Sequence, residues 1–152
     1  MKVPVIAIIA VFVLNLLASI TDTYTAYWWS DSVVHFLGGA ASAYFFFVFL
    51  SHLNHRGALW IRSRWLWFFL VISCTMLISV LWEFFEYADT FMRIFVKNPE
   101  FMTYFDTITD LFYDLVGASL AMILLIGFKR KTNAIFAGKE SKLQVFFIKT
   151  KA

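Results

Sequence analysis

Acidic residues and one histidine occur at helical spacing in otherwise apolar segments of the sequence. Asp31 and His35 are four residues apart in DSVVHFLGG, and Glu83 and Glu86 are three apart in LWEFFEYAD. Residues three or four apart lie on the same face of a helix, one turn from each other. Carboxylates and imidazole are groups that bind divalent metal ions and transfer protons in enzymes. Both segments therefore carry the residues for a metal site or for acid and base catalysis.

A third segment, FDTITDLFYDLVGA, has an aspartate at every fourth position, Asp106, Asp110 and Asp114. Each step of four residues turns a helix through about 400 degrees, so the three carboxylates form one line about 12 Å long. In a membrane-spanning helix a carboxylate at depth costs about 2.5 to 3.5 kcal/mol, and it has to face protein, water or a cation. The line of aspartates thus predicts a polar site inside a helix bundle.

The rest of the chain has the composition of a membrane protein. Of the 152 residues, 61% are hydrophobic and 15% are charged, whereas soluble domains have about 45 to 50% and about 25%. Four apolar stretches approach the roughly 20 residues that a transmembrane helix needs. We predict an all-α, polytopic bundle of four transmembrane helices within a domain over 1–128, followed by a basic tail over 129–152. The helices are expected at about 3–20, 33–50, 65–86 and 107–128.

The basic residues predict how this bundle lies in the membrane. All of the 13 Lys and Arg residues except Arg93 and Lys97 precede the first span, lie between the second and third spans, or follow the fourth. By the positive-inside rule, both termini and the tail are cytoplasmic, and the acidic segments lie at the outer face. We expect a multi-pass protein of the cell (inner) membrane.

The expected partners are membrane lipids. The tail over 129–152 has seven Lys or Arg residues against one Glu, a charge that can bind anionic head groups. Nucleic-acid binding is not expected, because basic and aromatic residues do not alternate on a folded domain. The sequence does not determine the oligomeric state.

Short loops make consecutive helices antiparallel neighbours, so the three acidic segments are expected to converge at the outer end of the bundle. Small residues at Gly38, Gly39 and Gly117 allow the helices to approach closely. A histidine with carboxylates suits Zn, Mn or Fe, and an all-oxygen set suits Mg. The predicted metal ligands are Asp31, His35, Glu83, Glu86, Asp106, Asp110 and Asp114.

Three functions are compatible with this site. The first is a metal-dependent enzyme, of hydrolase or phosphoryl-transfer type, that acts on a lipid or lipid-linked substrate with Glu83 or Glu86 as general base. The second is a cation or proton pathway, since a line of acids along a helix is typical of a relay. The third is a structural role, in which a bound metal or paired protonated acids stabilise the polar core of the bundle. For Asp31 and Asp106 alone, helix N-capping is a further alternative.

The same segments resemble the YjdF-like family of small inner-membrane proteins. The resemblance rests on D-x-x-x-H-F-x-x-G from Asp31, W-E-x-x-E-[YW] from Trp82, and D-T-x-x-D followed by G-A from Asp106. It covers 31–128 and implies a polytopic membrane fold with the site formed by these motifs. It implies no reaction, because no activity is established for that family. A weaker similarity is to VanZ-like membrane proteins, which also have an Asp and His opening and an acidic stripe before a glycine.

Overall fold

The computed structural model describes residues 1–92 and 104–128, and helices account for the regular structure there. Four of the helices are long and apolar enough to cross a membrane, and the fifth is a single short turn. The all-α fold with four spans is therefore confirmed. The helices are α1 (Lys2–Ile20), α2 (Thr23–Ala26), α3 (Ser30–His55), α4 (Arg64–Met92) and α5 (Tyr104–Phe128). The predicted tail over 129–152 lies outside the described residues.

The helices extend beyond the apolar stretches from which they were predicted. α3 begins at Ser30 and α4 continues to Met92, because a helix can continue through polar residues at a membrane surface after its apolar run ends.

Asp31 and Asp106 consequently lie in the first turns of α3 and α5. The alternative in which they are N-caps is wrong, and Trp29 is the N-cap residue of α3. Their charges still lie at helix N-termini, where the helix dipole favours them.

α3 is the central helix of the bundle, and its most extensive contact is with α5. A Cβ atom added at Gly39 would lie 2.1 Å from the backbone oxygen of Asp114, and one added at Gly117 would lie 2.0 Å from that of Phe36. Both positions therefore require glycine, as in other close helix pairs in membranes. This contact places the start of α3 beside the start of α5.

The two halves of the bundle differ in polarity. The half that contains Ile20, Ser30 and Tyr104, here called the outer end after its predicted orientation, contains His35 and the acidic residues of the described helices. The other half has an apolar core. The hydrogen bonds that hold the loop between α3 and α4 there include two to the backbone of Ile61. Asn54 Oδ1 accepts from the Ile61 amide at 3.0 Å, and Trp67 Nε1 donates to the Ile61 carbonyl at 3.3 Å. The buried core consists of Ala43, Phe47, Leu50, Ile61, Trp67, Val71, Ala118 and Met122.

The glycine contact predicts a large difference between two neighbouring substitutions. Gly39→Ala forces α3 away from the α5 backbone, and such overpacking costs about 1 to 3 kcal/mol, or about 3 to 10 °C in Tm. Gly38→Ala makes only ordinary contact, because its Cβ would lie 3.6 Å from Asp114 Oδ1. Thermal unfolding in detergent measures both, with Gly127→Ala as a control in open space. Equal Tm values for the Gly38 and Gly39 variants would contradict the described packing.

Candidate functional site

His35 lies at the centre of the polar residues at the outer end. Its side chain is 4% exposed, on the second turn of α3. Four carboxylates from α3, α4 and α5 lie within 4 Å of its ring nitrogens. They belong to Asp31, Glu86, Asp110 and Asp114, at 3.8, 3.9, 3.9 and 3.2 Å.

The shortest of these contacts fixes the orientation of the imidazole ring. His35 Nδ1 lies 3.2 Å from Asp114 Oδ2 in a buried hydrogen bond. With an ionised Asp114 as the acceptor, the Nδ1–H donates, and Nε2 is directed toward the other acids. Histidine ligands of metals commonly use their second nitrogen in this way, which fixes the tautomer and the ring direction. Asp114 thus acts on the site through His35.

The distances from His35 Nε2 to the nearby carboxylate oxygens can be compared with those between two ligands of one metal ion. Asp31, Glu86 and Asp110 lie 3.8 to 3.9 Å from Nε2, which is too far for a hydrogen bond. Two ligands that are each about 2.1 Å from one zinc ion lie at most about 4.2 Å apart. Each of the three carboxylates therefore lies at a distance from Nε2 that two ligands of one ion can have.

Two overlapping groups of residues have the composition and spacing of a metal site. Asp31, His35 and Asp110 form one group, and His35, Glu83 and Glu86 form the other. Within each group, one ligand atom per residue lies within 4.8 Å of the others. His35 belongs to both groups, and three of the other four residues, Asp31, Glu86 and Asp110, lie within 4 Å of its Nε2. We call these five residues the Nε2 cluster.

Glu83 is the most unusual member of the Nε2 cluster. The residue is 5% exposed. The Thr107 side chain of α5 lies near its carboxylate, but neither carboxylate oxygen makes a hydrogen bond of normal geometry within the described part of the chain. Burial of an ionised carboxylate without a partner is costly, and such a group either takes up a proton or binds a cation. Glu83 thus has unused ligand capacity directed into the cluster.

Two of the seven predicted ligands are not part of the Nε2 cluster. Asp114 contacts Nδ1 rather than Nε2. Asp106 is exposed in the first turn of α5 and belongs to neither group of possible ligands. Each four-residue step along α5 turns the side chain by about 40 degrees, so one line of three aspartates does not face a single point. In the structure Asp114 lies at Nδ1 of His35 and Asp110 lies at Nε2, whereas Asp106 lies outside the site.

Two residues near the cluster, Tyr24 and Asn15, were not predicted from the sequence. Tyr24 on α2 is half-buried, and its hydroxyl donates to Asn15 Oδ1 on α1. Burial, followed by the charges of Asp31, Glu86 and Asp110, raises the pKa of Tyr24 well above its ordinary value. Asn15 was detectable as an amide inside an apolar span. Tyr24 gave no such signal, because a tyrosine in a short loop is ordinary.

Comparison with known proteins identifies the family. The description of the matching family is predicted membrane protein (DUF2238), and the match covers residues 1–131. The chain belongs to the DUF2238 family. It is thus a membrane protein, and the match includes α1 to α5 and every residue of the Nε2 cluster. No curated protein and no solved structure matches the chain. The similarity to YjdF-like and VanZ-like proteins stays a prediction.

The buried hydroxyl of Tyr24 predicts a loss of stability at alkaline pH. Because its pKa is raised in the folded protein, the unfolded chain loses a proton above about pH 10 that the folded chain keeps. The free energy of unfolding therefore falls as the pH rises through and beyond that value. We expect Tyr24→Phe to reduce this fall in denaturant unfolding measured from about pH 8 to 11.

Tyr104→Phe is the matched control, since it removes the same hydroxyl from an exposed position. A fall that is as steep in Tyr24→Phe as in the unchanged chain would show that Tyr24 is not buried against the acids.

Proposed function

We propose that the Nε2 cluster binds one divalent metal ion. The proposal rests mainly on one observation: the buried carboxylate of Glu83 makes no hydrogen bond of normal geometry and lies beside His35 and Glu86. A bound cation would satisfy that group and would offset the repulsion among its neighbours. The further ligands are Asp31 and Asp110, which approach Nε2 from α3 and α5.

The distribution of basic residues supports a cation from solution. The sequence has no Lys or Arg between Lys2 and Arg56, between Arg64 and Arg93, or between Lys97 and Lys129. The described helices therefore bring no basic side chain other than His35 to the outer end. A single imidazole does not balance several carboxylates, and divalent ions bind where acids gather in this way.

The donor set favours a transition metal. One imidazole nitrogen with carboxylate oxygens suits Zn, Mn or Fe, whereas Mg prefers oxygen ligands and retains several waters. The hydrogen bond from His35 to Asp114 is the outer contact that holds such a ligand in position. We rank Zn, Mn and Fe above Mg on these grounds.

We further propose that the site acts on a lipid or lipid-linked substrate at the outer face of the inner membrane. A divalent ion supplies Lewis acidity toward a phosphoryl or carbonyl oxygen. Glu86 is the better candidate for general base, because its side chain is 28% exposed and can reach water, while Glu83 is buried. Metal-dependent hydrolysis and phosphoryl transfer are the reaction types that need only these groups.

A cation or proton pathway is supported less well. On α4, Glu83 is followed inward at four-residue spacing by the buried hydroxyls of Ser79 and Thr75. The same face then continues with Val71 and Trp67, which are fully buried in the apolar core. The polar line thus ends halfway along the bundle, which favours a site that opens at one end.

Metal content and metal-dependent stability of Glu83→Gln test the proposal. A metal at a hundredfold excess over its Kd stabilises a folded protein by about 2.7 kcal/mol, or about 5 to 10 °C in Tm. We expect this increase, and about one ion per chain by elemental analysis, for protein purified without nickel resin. Glu83→Gln should lose both, while its stability in chelator is unchanged or higher because an unpaired acid is gone.

Asp22→Asn is the matched control. It removes an exposed acid on the loop before α2, at a left-handed backbone position that asparagine also tolerates. It should bind metal as the unchanged chain does. If the purified chain holds no divalent ion, and if Zn, Mn and Fe leave its Tm unchanged, the cluster is a set of protonated acids with a structural role.

A further inference from the structure

A cleft of about 150 Å³ lies on the membrane-facing side of the cluster, between α1 and α4. Ile8 and Val11 line it on α1, Ile78 lines it on α4, and α3 forms its floor. α1 and α4 each pack mainly against other helices of the bundle, and the rings of Phe12 and Trp82 meet edge to face between them. The cleft is partly open to the surroundings, and α1 and α4, which border it, are both long and apolar enough to cross the bilayer.

One end of this apolar cleft is polar. His35 and Asp114 are part of its lining, next to Gly38. From Ile8 to Asn15, the α1 side runs about 10 Å along the helix axis, with its apolar residues toward the inner half and Asn15 toward the outer end. Of the Nε2 cluster, His35 is in this lining, and the four carboxylates are not. A molecule in the cleft would thus have a hydrocarbon part in the membrane and a polar part at His35, within reach of the acids around Nε2.

The size of the cleft favours a single hydrocarbon chain. An apolar cavity of about 150 Å³ holds a six-carbon ring, so the cleft accepts a comparable length of one chain but not two chains side by side. The rest of the molecule would remain in the bilayer. A lipid that moves laterally from the bilayer into the cleft, with one of its two acyl chains bound between the helices, would have this arrangement.

The charge of the polar end favours a cationic group on that lipid. Asp31 and Glu86 have side chains that are 31% and 28% exposed, and both lie within 4 Å of His35 Nε2. With the buried acids included, the cluster has more carboxylates than one divalent ion and one imidazole neutralise. A head group with an ammonium can donate charge-assisted hydrogen bonds to the exposed pair, whereas an anionic head group is repelled.

We infer that the cleft and the Nε2 cluster form one binding site for an amine-bearing phospholipid of the outer leaflet. One acyl chain lies between α1 and α4, and the head group extends past His35, which lines the cleft, so that the ammonium lies against Asp31 and Glu86 near Nε2. The inference rests on the proposed function for the role of the cluster, and it names the class of lipid that reaches it. The route is lateral, from the bilayer, and does not pass beneath Tyr24 on α2.

The test uses the full chain in lipid nanodiscs with a photoactivatable phosphatidylethanolamine. A diazirine at about the sixth carbon of one acyl chain would lie in the cleft, and peptide mass spectrometry locates the label. We expect saturable labelling of the cleft-lining parts of α1 and α4. Unlabelled phosphatidylethanolamine should compete for this labelling, and phosphatidylglycerol should compete about tenfold less well.

Ile78→Trp fills the cleft and should reduce the saturable labelling about tenfold. Leu77→Trp is its matched control, since Leu77 is the neighbouring residue, is exposed and does not line the cleft. Ser42→Leu closes the cleft from α3 and serves if the tryptophan variant does not fold.

Labelling that does not saturate, or that is the same in Ile78→Trp, Ser42→Leu and Leu77→Trp, overturns the inference. Equal competition by phosphatidylglycerol overturns the assignment of an amine head group. Metal content is measured on the same samples. If the unchanged chain contains the metal but shows no saturable labelling, the proposed lipid cleft is wrong and the metal site is not affected. If the unchanged chain shows saturable labelling but contains no metal, the proposed metal site is wrong and the lipid cleft is not affected.

Discussion

The approach of α3 to α5 is the constraint on which the site depends. At Gly39 and Gly117 the backbone of one helix touches the backbone of the other, and no side chain fits between them. This contact places Asp114 against the imidazole of His35 and brings Asp110 to the other ring nitrogen. A bundle with larger residues there would hold the same acids too far apart to act on one histidine.

Close packing at the outer end also brings buried carboxylates near one another, and their repulsion and desolvation are unfavourable. Carboxylates from three helices meet beside one imidazole, and Glu83 is buried without a hydrogen bond of normal geometry. Buried polar groups are normally satisfied, so an unsatisfied acid in a native structure indicates a function or a missing ion. The proposed metal ion would account for both the crowding and the unused ligand capacity of Glu83.

Much of this arrangement could be predicted from the sequence. Hydropathy and length gave four spans, and the spacing of Asp31 and His35 placed both on one face of α3. Spacing does not determine how each helix is rotated about its axis. The different roles of Asp106, Asp110 and Asp114 depend on that rotation, and so they required the structure. Tyr24 and the cleft between α1 and α4 arise from packing between distant parts of the chain, which local patterns do not contain.

The most direct test of the account is whether His35 is a metal ligand. Electron spin echo modulation spectroscopy on Mn²⁺ bound to the full chain detects nitrogen in the first coordination shell. We predict coupling from one histidine nitrogen that is absent in His35→Gln and retained in His52→Gln, which changes an exposed histidine near the other end of α3. A spectrum without nitrogen coupling, or one that His35→Gln leaves unchanged, would contradict the account.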